Sequence, residues 1–174
     1  MELFLDSLPL SDVEKLVQRA QRGDPVALER LVAALAPYVG RICAAIALDD
    51  GPDATQETMI LVIKNLRRLR EPAALRSWAR RIAVREALRL TTARRPVPVD
   101  PADLAPVAVP DSGEAVQIAE TLRSLPPQQR AVLMLRHVEG LTEAEIAELL
   151  DIPLGTLKSR ASRAREAFRR RWLT

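Results

Sequence analysis

Residues 139–171, EGLTEAEIAELLDIPLGTLKSRASRAREAFRRR, constrain the fold more than any other stretch: they read as a short helix, a tight turn and a longer helix. Thr142 and Glu145 form a capping box, the hydroxyl accepting from a first-turn N–H and the glutamate reaching back to the cap. Ile146, Leu149 and Leu150 give helix 142–150 one apolar face. Asp151-Ile152-Pro153 stops it, and Pro153 is pre-set for the first position of the next helix. There Leu157, Ala161, Ala164 and Phe168 recur at i, i+4, i+7 and i+11, a stripe to be buried. Lys158, Ser159, Ser162 and Arg163 are left facing outward near its N-terminal half. A helix-turn-helix lays that part of its second helix into the DNA major groove, so the pattern implies duplex DNA as a partner.

The rest of the chain is consistent with an all-α protein. Aromatic residues make up 3% of 174 residues, so any core must be built from Leu, Ile, Val and Ala. Ser11 with Glu14 predicts a second capping box opening a helix over about 11–22, ended by Gly23. Asp24-Pro25 starts a helix to about Leu48, with Leu28, Leu31, Val32, Leu35, Val39, Ile42 and Ile46 on one face and Pro37 inside it. Further helices are expected over about 53–70 and 73–92, separated by Glu71-Pro72. Residues 96–113 hold five prolines, three aspartates and one glycine, the composition of an extended, mobile linker. Beyond it, helices near 115–124 and 126–138 precede the helix-turn-helix. Two helical domains follow, 10–95 and 114–174, joined by the proline-rich linker 96–113.

The single cysteine, Cys43, lies in an apolar helical pattern with Val39, Ile42 and Ile46 and reads as core. No apolar run is expected to reach the roughly 18 residues of a membrane span. The start, MELFLDSLPL, is acidic and unlike a secretion signal, so a cytoplasmic location is expected.

Charge is strongly segregated. Residues 1–63 carry 5 basic and 10 acidic side chains, 64–95 carry 11 and 2, 96–153 carry 3 and 10, and 154–174 carry 7 and 1. Two separate basic blocks imply two contacts with a polyanion. On helix 73–92, Arg81, Arg85 and Arg89 form an i, i+4, i+8 ladder with Arg76 and Arg80 beside it. Like charges at this spacing repel by a few tenths of a kcal/mol per pair, which a nucleic-acid phosphate would relieve. Glu86 and partner helices could instead neutralise them. Trp78, in step with Leu75 and Ile82, is either core or a base-stacking platform. Helix 53–70 begins with Asp53, Gln56 and Glu57 and ends with Lys64, Arg67, Arg68 and Arg70. That order complements the helix dipole, and its acidic end also suits docking to a basic protein partner.

In this order the features resemble one family, the bacterial RNA polymerase sigma factors of the extracytoplasmic-function (ECF) type. LVQRAQRGDPVALERLVAALAPYVGRI is similar to the family's first segment, and DATQETMILVIKNL to the one that docks on the polymerase clamp. LRSWARRIAVREALRLTTARR resembles the segment that melts and reads the promoter −10 element, and LPPQQRAVLMLRHVEGLTEAEIAELLDIPLGTLKSRASRARE the domain that reads the −35 element. The resemblance implies that Asp53, Gln56 and Glu57, with Ile60, face the polymerase. It places Thr156, Lys158, Ser159, Arg160, Ser162 and Arg163 at the −35 element, with Arg165 as a phosphate or structural partner. It places Arg76, Trp78, Arg80, Arg81, Arg85 and Arg89 at the −10 element. One departure stands out: where the family often has Trp-x-Tyr-Arg-Ile-Ala-x-Asn, this chain reads Trp78-Ala79-Arg80-Arg81-Ile82-Ala83-Val84-Arg85. An arginine replaces both the ring and the amide suited to a flipped base, which implies an unusual −10 preference or reliance on phosphate.

The partners implied are core RNA polymerase (clamp and flap), promoter DNA and an anti-sigma protein, which could hold the chain at the membrane. No cofactor, metal or membrane insertion is implied, and the free chain is expected to be a monomer. A stand-alone helix-turn-helix regulator is the rival reading, and it leaves Asp53–Glu57 and the 73–92 helix unexplained. A nucleic-acid enzyme would need carboxylates within the basic blocks, which hold Glu71, Glu86 and Glu166. His137 lacks an acid–base partner in sequence, so no catalysis is expected.

Overall fold

The computed structural model describes residues 10–93 and 113–172, and the described residues are helical with no strand. Nearly all of the expected 96–113 linker lies outside them.

Four helices form the N-terminal unit: α1 (Leu10–Gln21), α2 (Pro25–Ala47), α3 (Gly51–Asn65) and α4 (Leu75–Ala93). Short 3₁₀ turns at Leu48–Asp50, Leu66–Arg68 and Pro72–Ala74 connect them. Gly23 ends α1 with a left-handed φ of 92°, open to glycine at little cost. Asp24 then caps α2, its carboxylate accepting from the N–H of Val26 at 3.0 Å and of Ala27 at 3.1 Å. Those bonds, the Ala27 one first, and the Arg19 guanidinium at 2.6 Å hold its carboxyl below the usual carboxylate range. Ser11 is not the cap expected of it: α1 already includes Leu10, which places the serine in the first turn. The expected helix 53–70 is also shorter. The Gln21 amide donates to the carbonyls of Leu66 at 2.9 Å and Leu69 at 2.7 Å, so the chain can leave the helix there without orphaning them.

α2 is the central element and packs against α1, α3, α4 and, from the C-terminal unit, α6 (Pro127–His137). The helical run 25–68 contains an 18-residue window of mean hydropathy 1.9, long and apolar enough to cross a membrane, contrary to the expectation from sequence. Its apolar side chains are spent on the core instead: Leu31, Leu35, Tyr38, Val39, Ile42 and Ile46 are all buried by neighbouring helices. Cys43 is buried among them, its Sγ 3.9 Å from the Ala83 carbonyl, and burial pushes the thiol pKa up.

The C-terminal unit comprises α5 (Gly113–Arg123), α6, α7 (Glu143–Leu150) and α8 (Leu154–Trp172). The two units share one apolar core, continuous from Val17 and Ile42 to Leu135, Ile146 and Leu157.

Candidate nucleic-acid interface

The capping box expected before α7 is formed: Thr142 Oγ1 accepts from the Glu145 N–H at 3.3 Å, and Glu145 Oε2 accepts from the Thr142 N–H at 2.8 Å. The Thr142 hydroxyl donates to Glu145 Oε2 at 2.7 Å, and this bond first, with the one from the Thr142 N–H, holds the Glu145 carboxyl below its ordinary range. Asp151 adopts the left-handed conformation, φ 53° and ψ 51°, and the Ile152 N–H returns to the Ala147 carbonyl at 3.0 Å. Aspartate tolerates this geometry better than most side chains. Pro153 sits one residue before α8, its carbonyl accepting the first helical bond from the Leu157 N–H.

α8 lies on α5, α6 and α7 through Leu157 and Ala164, both fully buried, with Ala161 and Phe168 half-buried. Thr156, Lys158, Ser159, Ser162, Arg163 and Arg165 are exposed, and Arg160 is half-buried. Ser159 Oγ donates to the Thr156 carbonyl at 2.9 Å, and Arg163 Nε donates to the Ser159 carbonyl at 3.3 Å. The structure therefore brings the sequence-predicted face together on the N-terminal half of the second helix.

The second basic face is more constrained. Arg76, Arg81, Arg85 and Arg89 are exposed on α4, while Trp78 and Arg80 are half-buried. Trp78 packs on the shared core and also lines a cleft between the units with Arg70, Arg81, Glu145 and Glu148. The ladder is partly neutralised within the molecule. Arg89 Nε pairs with Glu86 at 2.6 Å on its own helix, and Arg81 meets Glu148 of α7 at 3.4 Å. Arg80 turns inward: its Nη1 donates to Glu139 Oε2 at 3.1 Å, and the same oxygen accepts from the Tyr38 hydroxyl at 2.7 Å. The Arg76 guanidinium carbon lies 4.5 Å from the centre of the Tyr38 ring, within cation–π range.

Glu139, Tyr38 and Arg130 were not singled out from the sequence. Arg130 is buried; its Nε and Nη2 donate to the Ile46 carbonyl at 2.9 and 2.7 Å, and Nη1 donates to the Leu125 carbonyl at 2.6 Å. A cation from the C-terminal unit thereby satisfies a last-turn carbonyl of α2 and its negative dipole end. Burial lowers the pKa of this guanidinium. Arg123 adds an ion pair to Asp49 at 3.2 Å.

Tyr38 supplies a pH probe, being the one tyrosine in the sequence. Burial, reinforced by the Glu139 hydrogen bond, pushes its hydroxyl up to about 12 from 10.0. The folded chain keeps a proton that the unfolded chain loses. This contribution is intact below pH ~10 and falls by about 2 kcal/mol by pH ~12. Denaturant midpoints across that range should show the fall, and Tyr38→Phe should remove it; an equal fall in both proteins would refute the assignment.

Asp53, Gln56 and Glu57 are exposed on the first two turns of α3, which packs against α4, with Ile60 half-buried beside them, a spacing that places all four on one face.

Comparison with known proteins gives these surfaces a common setting. Residues 30–96 match the family model of Sigma-70 region 2, and residues 115–168 that of Sigma-70, region 4. The chain is 34% identical over 172 residues to the ECF RNA polymerase sigma-E factor of Haemophilus influenzae, covering 88% of this chain and 91% of that protein. It is 33% identical to that of Escherichia coli (strain K12), with coverage of 88% and 90%. Among solved structures, CnrH in complex with the cytosolic domain of CnrY aligns with TM-score 0.60 and 24% identity over 89% of this chain and 93% of that one. The sigma factor RpoE in complex with the anti-sigma factor NepR from Bartonella quintana aligns with TM-score 0.56 and 18% identity over 82% and 94%. These last two share the fold, and the sequence matches carry the kinship: the chain belongs to the ECF RNA polymerase sigma factors.

Proposed function

We propose that this sigma factor joins core RNA polymerase through Asp53, Gln56, Glu57 and Ile60 on α3 and brings it to promoters at two points. Residues 10–95 act at the −10 element through the basic face of α4, and residues 114–174 grip the −35 duplex through Thr156, Lys158, Ser159, Arg160, Ser162 and Arg163. Residues 96–113 tether them. The observation that carries the reading is the division of α8: Leu157 and Ala164 wholly buried, Lys158, Ser159, Ser162 and Arg163 wholly outward, at the half of the helix that reads bases. The chain supplies recognition and the polymerase supplies the chemistry, in the cytoplasm. An anti-sigma protein restrains it, a reading supported by the partner-bound state of its fold relatives.

Run-off transcription with core polymerase on a promoter library tests this directly. Wild-type chain should direct specific initiation, and Asp53→Lys with Glu57→Lys should weaken its complex with core by about tenfold, since reversed charges then face each other. Specific duplex binding with no polymerase complex would overturn the proposal in favour of a stand-alone regulator.

A further inference from the structure

The 3₁₀ turn Leu66–Arg68 lies between α3 and the basic helix α4 and carries two exposed arginines, Arg67 and Arg68. Its ends are pinned. Leu66 and Leu69 bury their side chains, and the Leu69 N–H closes the turn on the Leu66 carbonyl at 3.1 Å. The Gln21 amide, half-buried at the end of α1, donates to both carbonyls, that of Leu66 at 2.9 Å and that of Leu69 at 2.7 Å. One side chain thus ties both ends of the turn to α1, which also packs against it. Short exposed turns belong to the least stable part of a fold, so these two bonds decide how firmly the arginines are placed. The arginines themselves diverge. Arg67 lies back toward α1: a Cβ at Gly23 would be 4.0 Å from its Nη2. Arg68 instead lines a groove of about 330 Å³ between α3 and α4, together with Arg81 and Arg85 and the apolar Leu61, Trp78 and Ile82. An aromatic and apolar floor with cations from two elements suits an unpaired base and its phosphates. Arg81 and Arg85 stand on a helix, whereas Arg68 is only as well placed as its turn.

We propose that Gln21 is a positioning residue for nucleic-acid recognition. It touches no DNA itself; it fixes the turn 66–69 so that Arg68 takes a phosphate of a strand lying in the groove beside Trp78 and Arg85. This rests on the reading of α4 as the helix that acts at the −10 element. A residue of α1, outside both basic blocks, thereby sets how well the basic surface grips its ligand.

The test uses the full chain assembled with core RNA polymerase and a single-stranded DNA pool of randomised sequence. Binding is measured by anisotropy across a salt series, with core polymerase alone as the baseline. One phosphate contact on a single strand contributes about 0.7 to the slope of log K against log salt. Arg68→Ala should weaken binding several-fold and flatten the slope by about 0.7. Arg67→Ala, the same charge loss on the same turn, should change the slope far less. Gln21→Met exchanges one neutral side chain for another of similar length, yet it should also weaken binding and flatten the slope. Combined with Arg68→Ala, it should lose no more than Arg68→Ala alone. A role confined to folding would lower the active fraction and leave the slope as it was. Gln21→Lys returns a donor of similar reach, so in that background Arg68→Ala should again cost several-fold; this arm decides the matter if Gln21→Met does not fold. An unchanged slope in Gln21→Met, additive losses in the double variant, or no Arg68 effect in the Gln21→Lys background overturns the proposal. Arg85→Ala separates the two ideas. If it leaves binding unchanged, the assignment of α4 to DNA fails and the positioning role falls with it. If it weakens binding several-fold while Gln21→Met leaves the slope unchanged, the positioning role fails alone.

Discussion

Leu157→Ala is expected to destabilise the C-terminal unit by 2–5 kcal/mol and to abolish binding to −35 duplex while α1–α4 stay folded. α8 has two fully buried side chains, Leu157 and Ala164, and Ala164 is already minimal. Truncating the leucine removes the main apolar anchor and leaves a cavity against α6 and α7, so the recognition helix loses its fixed orientation before any contact is altered. Urea unfolding with amide exchange would locate the loss, and gel shift on a −35 duplex would report the function. An unchanged midpoint would refute this account of the anchor. Arg163→Ala provides the contrast. It is exposed, so stability should hold within about 0.5 kcal/mol. Recognition of the −35 sequence should drop by about 1–3 kcal/mol if the fork reads a base; equal loss on every sequence would mark a phosphate contact.

Gly51→Val is the second large effect, expected to destabilise the N-terminal unit by about 3 kcal/mol. Gly51 opens α3 with an ordinary helical φ of −54°, so backbone freedom is not why glycine stands there. In such a conformation a side chain would normally gain up to about 1 kcal/mol of helix propensity. Space decides the sign: a Cβ at Gly51 would lie 2.9 Å from Ala44 Cα and 3.2 Å from Ala44 N. The obstruction is backbone on a buried helix, so α2 and α3 would have to separate. Because Asp53, Gln56 and Glu57 ride on α3, polymerase binding should weaken as the thermal midpoint drops. A variant as stable as wild type would show that the junction can give way.

Local pattern carried much of this architecture and stopped at the contacts between units. The capping box at Thr142, the stop at Asp151 and the stripe of Leu157, Ala161 and Ala164 depend on residues within one or two turns, and these were legible. The early end of α3 was not, because the turn that follows it is held by Gln21, 45 residues upstream of Leu66. Arg80 was expected at DNA beside a helical ladder, and nothing local indicates its bond to Glu139 across the joint. Arg130 looked like one more cation in α6, and nothing local indicates that it would take the Ile46 carbonyl, 84 residues away. These three contacts each join a polar side chain to a distant partner, where hydrophobic period carries no information. The arginines that replace the family's ring and amide are also explained unequally: Arg80 has a structural use, and Arg85 remains on the exposed face.

The burial of Cys43 limits what kinds of signal these residues can receive. Oxidants attack thiolate, and this thiol is sealed under α4 with its ionisation disfavoured. It is also the one cysteine in the 174 residues, leaving no second sulfur here to complete a disulfide. Thiol oxidation and disulfide exchange therefore meet a shielded cysteine in the folded form. A thiol-based stress that activates transcription through this sigma factor would then act on a cysteine of a partner, and the chain would receive the message as release.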